Sequence, residues 1–129
     1  MNLRTILPLS AIITAAGLAA LAASATAAPP PAGDQSFKQR CQACHALTPG
    51  GAPGPLAPNL RGVVGRKAGS TPFKTYSPAL KASNIVWNAA KLDTYLAAPT
   101  KMVPGTRMVI AVSDPAQRKA IIAYLAAQR

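Results

Sequence analysis

Five consecutive residues, Cys41-Gln42-Ala43-Cys44-His45, constrain this chain more than any other feature, because they hold both of its cysteines and its one histidine. Two thiols three apart, followed at once by an imidazole, is the spacing that attaches a c-type haem: each sulfur can add to a porphyrin vinyl group, and the next residue lies beneath the iron. On that reading Cys41 and Cys44 carry one covalent haem c and His45 is the proximal iron ligand. Three other chemistries use similar spacings: a structural disulfide, a thioredoxin-like redox dithiol and half of a zinc site. Zinc lacks a second ligand pair anywhere in the chain. A thioredoxin-like site needs a βαβ setting, and no β-branched run ahead of Cys41 supplies one.

At 129 residues the chain is one small domain at most. Its two Phe, three Tyr and one Trp leave little bulky apolar material for a core, a shortage that an internal haem would fill. The formal net charge is +11, from 14 Lys and Arg against Asp34, Asp93 and Asp114, which implies an anionic partner. Nucleic acid fits poorly, since no helix carries a dense basic run and an exported haem protein rarely meets it. Residues 1–27 read as an export signal: Arg4 at the positive start, an apolar segment over residues 6–21, and Ala25-Thr26-Ala27 as a cleavage site. The competing reading is an uncleaved membrane anchor, because the apolar stretch approaches the ~20 residues that span a bilayer. Alanine content and the cleavage site favour removal, so the mature chain is expected to begin near Ala28 in the periplasm. Thioether attachment and an oxidising compartment go together there.

Residues 28–33 form a proline-rich leader, and residues 34–129 are expected to be the folded domain. A first short helix is predicted from Asp34, with Asp34 as its cap and with Phe37 and Cys41 on one face. Pro and Gly then dominate residues 48–58 and exclude helix and sheet alike, and Gly62, Gly65 and Gly69 punctuate a turn-rich continuation. Val63-Val64 is too short to anchor a sheet. Ser77-Pro78 opens a short helix to Ala82. Asn88 caps a helix over residues 89–98, with Leu92, Tyr95 and Leu96 on its apolar face and Pro99 as its stop. Asp114-Pro115-Ala116-Gln117 resembles a capping box, and Ile121, Tyr124 and Leu125 line one face of the last helix. The expected class is all-α, four to five short helices with long loops wrapped around one covalently attached haem. Long loops normally count against such an assignment, and the haem removes that objection.

The iron has a second axial position, whose occupant separates electron carriers from ligand-binding or catalytic haem proteins. With no second histidine, the candidates are Met102, Met108, a lysine amine or an open site. The methionines share the stretch Lys101-Met102-Val103-Pro104-Gly105-Thr106-Arg107-Met108, and packing is the ordinary use of either.

Here the chain resembles the class I cytochromes c, the mitochondrial and soluble bacterial electron-carrier type, over nearly the whole mature length. Cys41-Gln42-Ala43-Cys44-His45 matches the attachment site, and Pro58-Asn59-Leu60-Arg61-Gly62 the segment behind the proximal histidine. Gly65-Arg66-Lys67-Ala68-Gly69 matches the turn beside the propionates, and Pro104-Gly105-Thr106-Arg107-Met108 the loop presenting the methionine sulfur. Tyr76, Trp87 and the run from Tyr95 to Pro99 follow at family-like spacing.

The resemblance implies a cytochrome c fold with Met108 as the distal ligand and Met102 as a packing residue. It makes the Pro58 carbonyl the acceptor for the free ring nitrogen of His45. It places Tyr76, Trp87 and Arg66 at a haem propionate, and Tyr95 and Thr106 near the Met108 sulfur or the inner propionate. Trp87 and Tyr95 also read as core, and Phe37, Ile121 and Tyr124 as the contact between first and last helices. Two features depart from the family pattern: Ile110 stands where mitochondrial proteins often carry an aromatic, and the loop after His45 is unusually rich in Pro and Gly.

The implied activity is that of an electron carrier, not an enzyme. A saturated low-spin iron would shuttle one electron at a clearly positive potential between acidic redox partners: an oxidase, a bc1-like complex or a periplasmic dehydrogenase. The protein would be a monomer in peripheral contact with membrane complexes. Arg40, Lys101 and Arg107 are expected around the exposed haem edge, with Lys38 and Lys67 adding to the field. The alternative is an open-site haem protein with peroxidase-like or gas-binding behaviour.

Overall fold

The computed structural model describes residues 32–129, so the export signal and all but the last two residues of the leader lie outside the described residues. Five helices follow in order: α1 Gly33–Arg40, α2 Pro78–Ala82, α3 Ala89–Ala97, α4 Pro99–Met102 and α5 Pro115–Ala127. Among the described residues no strand forms, and Val63-Val64 starts none; Lys67 and Val86 make a single antiparallel bridge. The all-α expectation therefore holds, with loops filling the long intervals between helices.

Three helices start where side-chain chemistry says they should. The Ser77 hydroxyl accepts from the Leu80 amide at 3.1 Å, with Pro78 in the first turn. The Asn88 side chain accepts from the Lys91 amide at 2.9 Å, and Asp114 from the Ala116 amide at 2.9 Å. Gln117 returns no bond among the described residues, so the last cap is one-sided rather than a full capping box.

Two expectations are corrected. Asp34 does not cap α1: the cap position is Ala32, without a side-chain bond, and Asp34 lies in the first turn, where it faces Lys38 at 3.6 Å. A carboxylate there still complements the helix dipole, which explains why it reads like a cap. Pro99 ends α3 at Ala97 but also begins α4, because a residue without an amide hydrogen suits a first helical turn as well as it stops a preceding helix. Lys101 and Met102 therefore belong to a helical turn and not to the loop carrying Met108, and Met102 packs against the core as a partly buried residue.

α5 packs against α1 and α3, and α4 packs against α3. Phe37, Leu92, Leu96, Ile121, Ile122 and Leu125 form the buried centre of this contact. The Phe37 and Tyr124 rings stand 5.8 Å apart. Gly33 lets α1 approach α5: a Cβ there would strike the Ala120 carbonyl oxygen and lie 2.7 Å from Tyr124 Cβ. Arg118 on α5 pairs with Asp93 on α3 at 2.7 Å.

Candidate cofactor site

α1 ends at Arg40, and a tight turn then carries the Cys-His motif. The Cys41 amide donates to the Phe37 carbonyl at 2.8 Å, and both the Cys44 and His45 amides fold back on the Cys41 carbonyl, at 3.0 and 2.8 Å. The turn is closed from outside by Gly54, where a Cβ would strike the Cys44 carbonyl oxygen and come within 2.8 Å of the His45 carbonyl carbon. A glycine in the Pro/Gly-rich loop thus lets that loop lie directly on the motif.

The His45 ring is held by the same loop. Its Nδ1 lies 2.8 Å from the Pro58 carbonyl oxygen. A carbonyl only accepts, so Nδ1 carries the hydrogen and Nε2 keeps its lone pair for a metal. Burial lowers the His45 pKa against the opposing pull of the Pro58 bond, which keeps the imidazole neutral and able to ligate. Burial also pushes the Cys41 thiol up to about 11; Arg40 lowers it and Cys44 adds to the rise. No disulfide joins the two sulfurs.

Asn59, which the sequence marks only as part of a matching segment, organises the loop behind His45. It is buried, and its amide nitrogen donates to the Thr48 carbonyl at 2.9 Å, the Thr48 hydroxyl at 3.0 Å and the Ala52 carbonyl at 2.7 Å. Its side-chain oxygen accepts from the Arg61 amide at 2.8 Å. The signal available in sequence was a turn-forming amide set among prolines that cannot donate, where a side chain must supply the missing bonds.

One cavity of about 370 Å³ collects Cys41, Cys44 and His45 together with Met108. Pro58, Arg66, Tyr76, Trp87, Tyr95, Thr106, Arg40 and Arg107 also line it. Lys101 is not in this lining: with α4 folded against α3, it borders a separate hollow beside Asp93 and Met102. Lys67 lines the main cavity, and the exposed Val109 and Ile110 stand at its mouth.

Several polar side chains in the lining hold one another. The Tyr95 hydroxyl and Thr106 hydroxyl are 2.6 Å apart, and the Met108 amide donates to the Thr106 oxygen at 3.4 Å. Tyr76 and Thr71 hydroxyls are 2.6 Å apart. Arg66 donates to the carbonyls of Arg61 and Asn59, both at 2.8 Å, which braces the proximal loop and leaves further guanidinium hydrogens free to meet an acid. Arg107 donates to the Thr75 carbonyl at 2.8 Å, joining the methionine loop to the segment before α2.

The cavity fits a haem by its chemistry. Its volume lies in the usual ligand-pocket range of roughly 300–1,000 Å³. Leu60, Val63, Leu80, Leu92 and Leu96 supply apolar walls for a macrocycle, and Arg66 with Tyr76 supplies donors for acidic substituents. Two thiols, a neutral imidazole and a thioether are the donor set for covalent attachment and iron ligation.

The family model for cytochrome c matches residues 31–128. A cytochrome c2 from Rhodomicrobium vannielii is 47% identical over 108 residues, spanning 82% of this chain and 85% of that protein. A cytochrome c2 from Agrobacterium tumefaciens is 41% identical over 97 residues, 72% of this chain and 86% of that one. Among solved structures, cytochrome cH from Methylobacterium extorquens superposes with a TM-score of 0.65 at 43% identity, covering 73% of this chain and 93% of its own. A family match over nearly all the described residues, with relatives this similar in sequence and in fold, makes the chain a member of the cytochrome c family, a single-haem electron-transfer protein with covalent haem c rather than an enzyme.

Proposed function

We propose that His45 and Met108 are the two axial ligands of the haem iron, and that the protein is an exported carrier passing one electron at a time between redox proteins. The observation that carries this reading is the single cavity that gathers Cys41, Cys44, His45 and Met108. When bound, haem c supplies a reversible one-electron couple at its iron. Everything else is done by the chain. Cys41 and Cys44 anchor the group, and Pro58 fixes the His45 tautomer and makes Nε2 the better donor. The buried walls exclude water, and the neutral thioether of Met108 together with that dry setting favours the reduced, less charged state. Tyr95 and Thr106 secure the methionine loop, and Arg66 with Tyr76 would supply donors to the acidic substituents of the bound group.

Transfer takes place at the cavity mouth. Arg40, Lys67 and Arg107 line the cavity together with exposed Val109 and Ile110, so basic and exposed apolar side chains share its border. Such a surface suits an acidic partner, an oxidase, a bc1-like complex or a periplasmic dehydrogenase, met by a monomeric carrier. Periplasmic location rests on the export signal in residues 1–27. Among the described residues no helix is long and apolar enough to cross a membrane. Mass determination of the exported protein checks this, with a mature chain starting near Ala28 as the expected result.

The axial assignment is tested by absorbance spectra of the oxidised and reduced protein. A low-spin spectrum with a weak near-infrared sulfur-to-iron band, and no carbon monoxide binding at neutral pH, is expected. A high-spin spectrum with ready carbon monoxide binding would assign the open-site alternative instead.

A further inference from the structure

Met108 sits on an arch pinned at two points. Residues 103–114 join α4 to α5, and the first pin is Thr106, whose amide donates to the Val103 carbonyl at 3.0 Å and whose hydroxyl meets Tyr95 at 2.6 Å. The second pin lies beyond the cavity. The Val112 amide donates to the Leu96 carbonyl at 2.8 Å, and Val112 is buried. Arg118 Nη1 then donates to the carbonyls of Val112 at 2.9 Å and Ser113 at 2.8 Å, while Nε donates to Asp93 Oδ1 at 2.7 Å. Between the pins, residues 109–111 make no backbone hydrogen bond among the described residues, and Val109 and Ile110 are 71% and 52% exposed.

We propose that Arg118 is a positioning residue for Met108: by tying the return limb of its loop to α3 and α5, it keeps the thioether seated. One planar guanidinium fixes two loop carbonyls and a carboxylate on α3 at once, with its own side chain only 12% exposed. Charge-assisted bonds are stronger than neutral ones, although the Asp93 carboxylate is half exposed and its share is screened by salt. Lysine could not reproduce the fork. Arg118 does not line the cavity and touches no cofactor ligand, so its effect passes through the loop alone. The inference rests on the proposal that Met108 is the distal ligand.

The test uses the holoprotein and imidazole, a small base that competes with the thioether for the iron. Arg118→Ala is expected to raise imidazole affinity about tenfold, the change for losing about 1.4 kcal/mol of loop fixation. It should also weaken the sulfur-to-iron band and speed hydrogen exchange of the Val112 amide. Tyr124→Leu, on the same helix as Arg118, removes the ring pair with Phe37 of α1 but lies off the cavity lining, and serves as a stability control. It should lower the melting temperature without moving imidazole affinity. Arg118→Lys keeps the charge and one donor, and should raise affinity roughly threefold, which carries the test if the alanine variant does not accumulate. The inference is overturned if imidazole affinity is unchanged in the Arg118 variants, or if Tyr124→Leu raises it as much for an equal loss of melting temperature. A wild-type protein without the sulfur band overturns the axial reading of Met108 and this inference with it. A wild-type band with unmoved affinity in the variants overturns the inference alone.

Discussion

Asn59 shows how one buried amide supports the chemistry of another residue. Its side chain closes four hydrogen bonds around the loop that presents the Pro58 carbonyl to His45. Asn59→Ala would remove all four bonds at a buried position, so a loss of about 2–3 kcal/mol is expected. In a thermal melt of the holoprotein that corresponds to a fall on the order of 10 °C. Tyr95 makes a second prediction at this scale. Burial raises its pKa above the ordinary 10.0 against the lowering effect of the Thr106 hydrogen bond. The fold therefore holds the phenol proton more tightly than the unfolded chain does. That contribution is intact below the ordinary value of 10.0 and is lost as pH rises through the higher folded value. Denaturant unfolding followed across alkaline pH should show stability falling there in the wild type, with a shallower fall in Tyr95→Phe. An equal slope in both would show that another group governs the alkaline limb.

Among the elements, α1 and α5 depend on a contact with no room for a side chain at Gly33. Gly33→Ala would drive a methyl into the Ala120 carbonyl, and separating the helices to relieve it should cost about 1–3 kcal/mol, read as a lower denaturant midpoint. A midpoint unchanged by the substitution would mean that α1 shifts at no cost. Helices announced by their own caps were readable from sequence: Ser77 with Pro78, Asn88, and Asp114 with Pro115 each signal locally what they do locally. The ambiguous residues were those whose chemistry serves two outcomes. Pro99 ends one helix and begins another, and Asp34 favours a first turn from inside it as well as from its cap. The site divides along the same line. Cys41, Cys44 and His45 are adjacent in the chain, and Met108 was found through a resemblance that covers its whole loop. The bonds made by Asn59 to Thr48 and Ala52, by Tyr76 to Thr71 and by Arg118 to Asp93 join residues whose pairing no local pattern encodes. The hollow that Lys101 borders is set in the same way, by how α4 turns against α3.

For the whole molecule, charge and apolar exposure act together. A chain of net charge +11 whose cavity lining includes Arg40, Lys67 and Arg107 with exposed Val109 and Ile110 should meet an acidic partner quickly and release it easily. Electron-transfer rates with such a partner should fall by about tenfold or more between low and physiological ionic strength. A rate independent of salt would remove the steering account while leaving the carrier itself untouched. On the proposed ligation the same cavity would set the potential through two donors, and the thioether is the one whose removal is informative, since His45 also stands beside the attachment site. The most direct measurement is a redox titration of the wild-type protein beside Met108→Ala. We expect a clearly positive midpoint that falls by on the order of 100 mV or more in the variant, with carbon monoxide binding appearing at neutral pH. A strongly negative wild-type midpoint, or one that the substitution leaves in place, would contradict ligation by Met108.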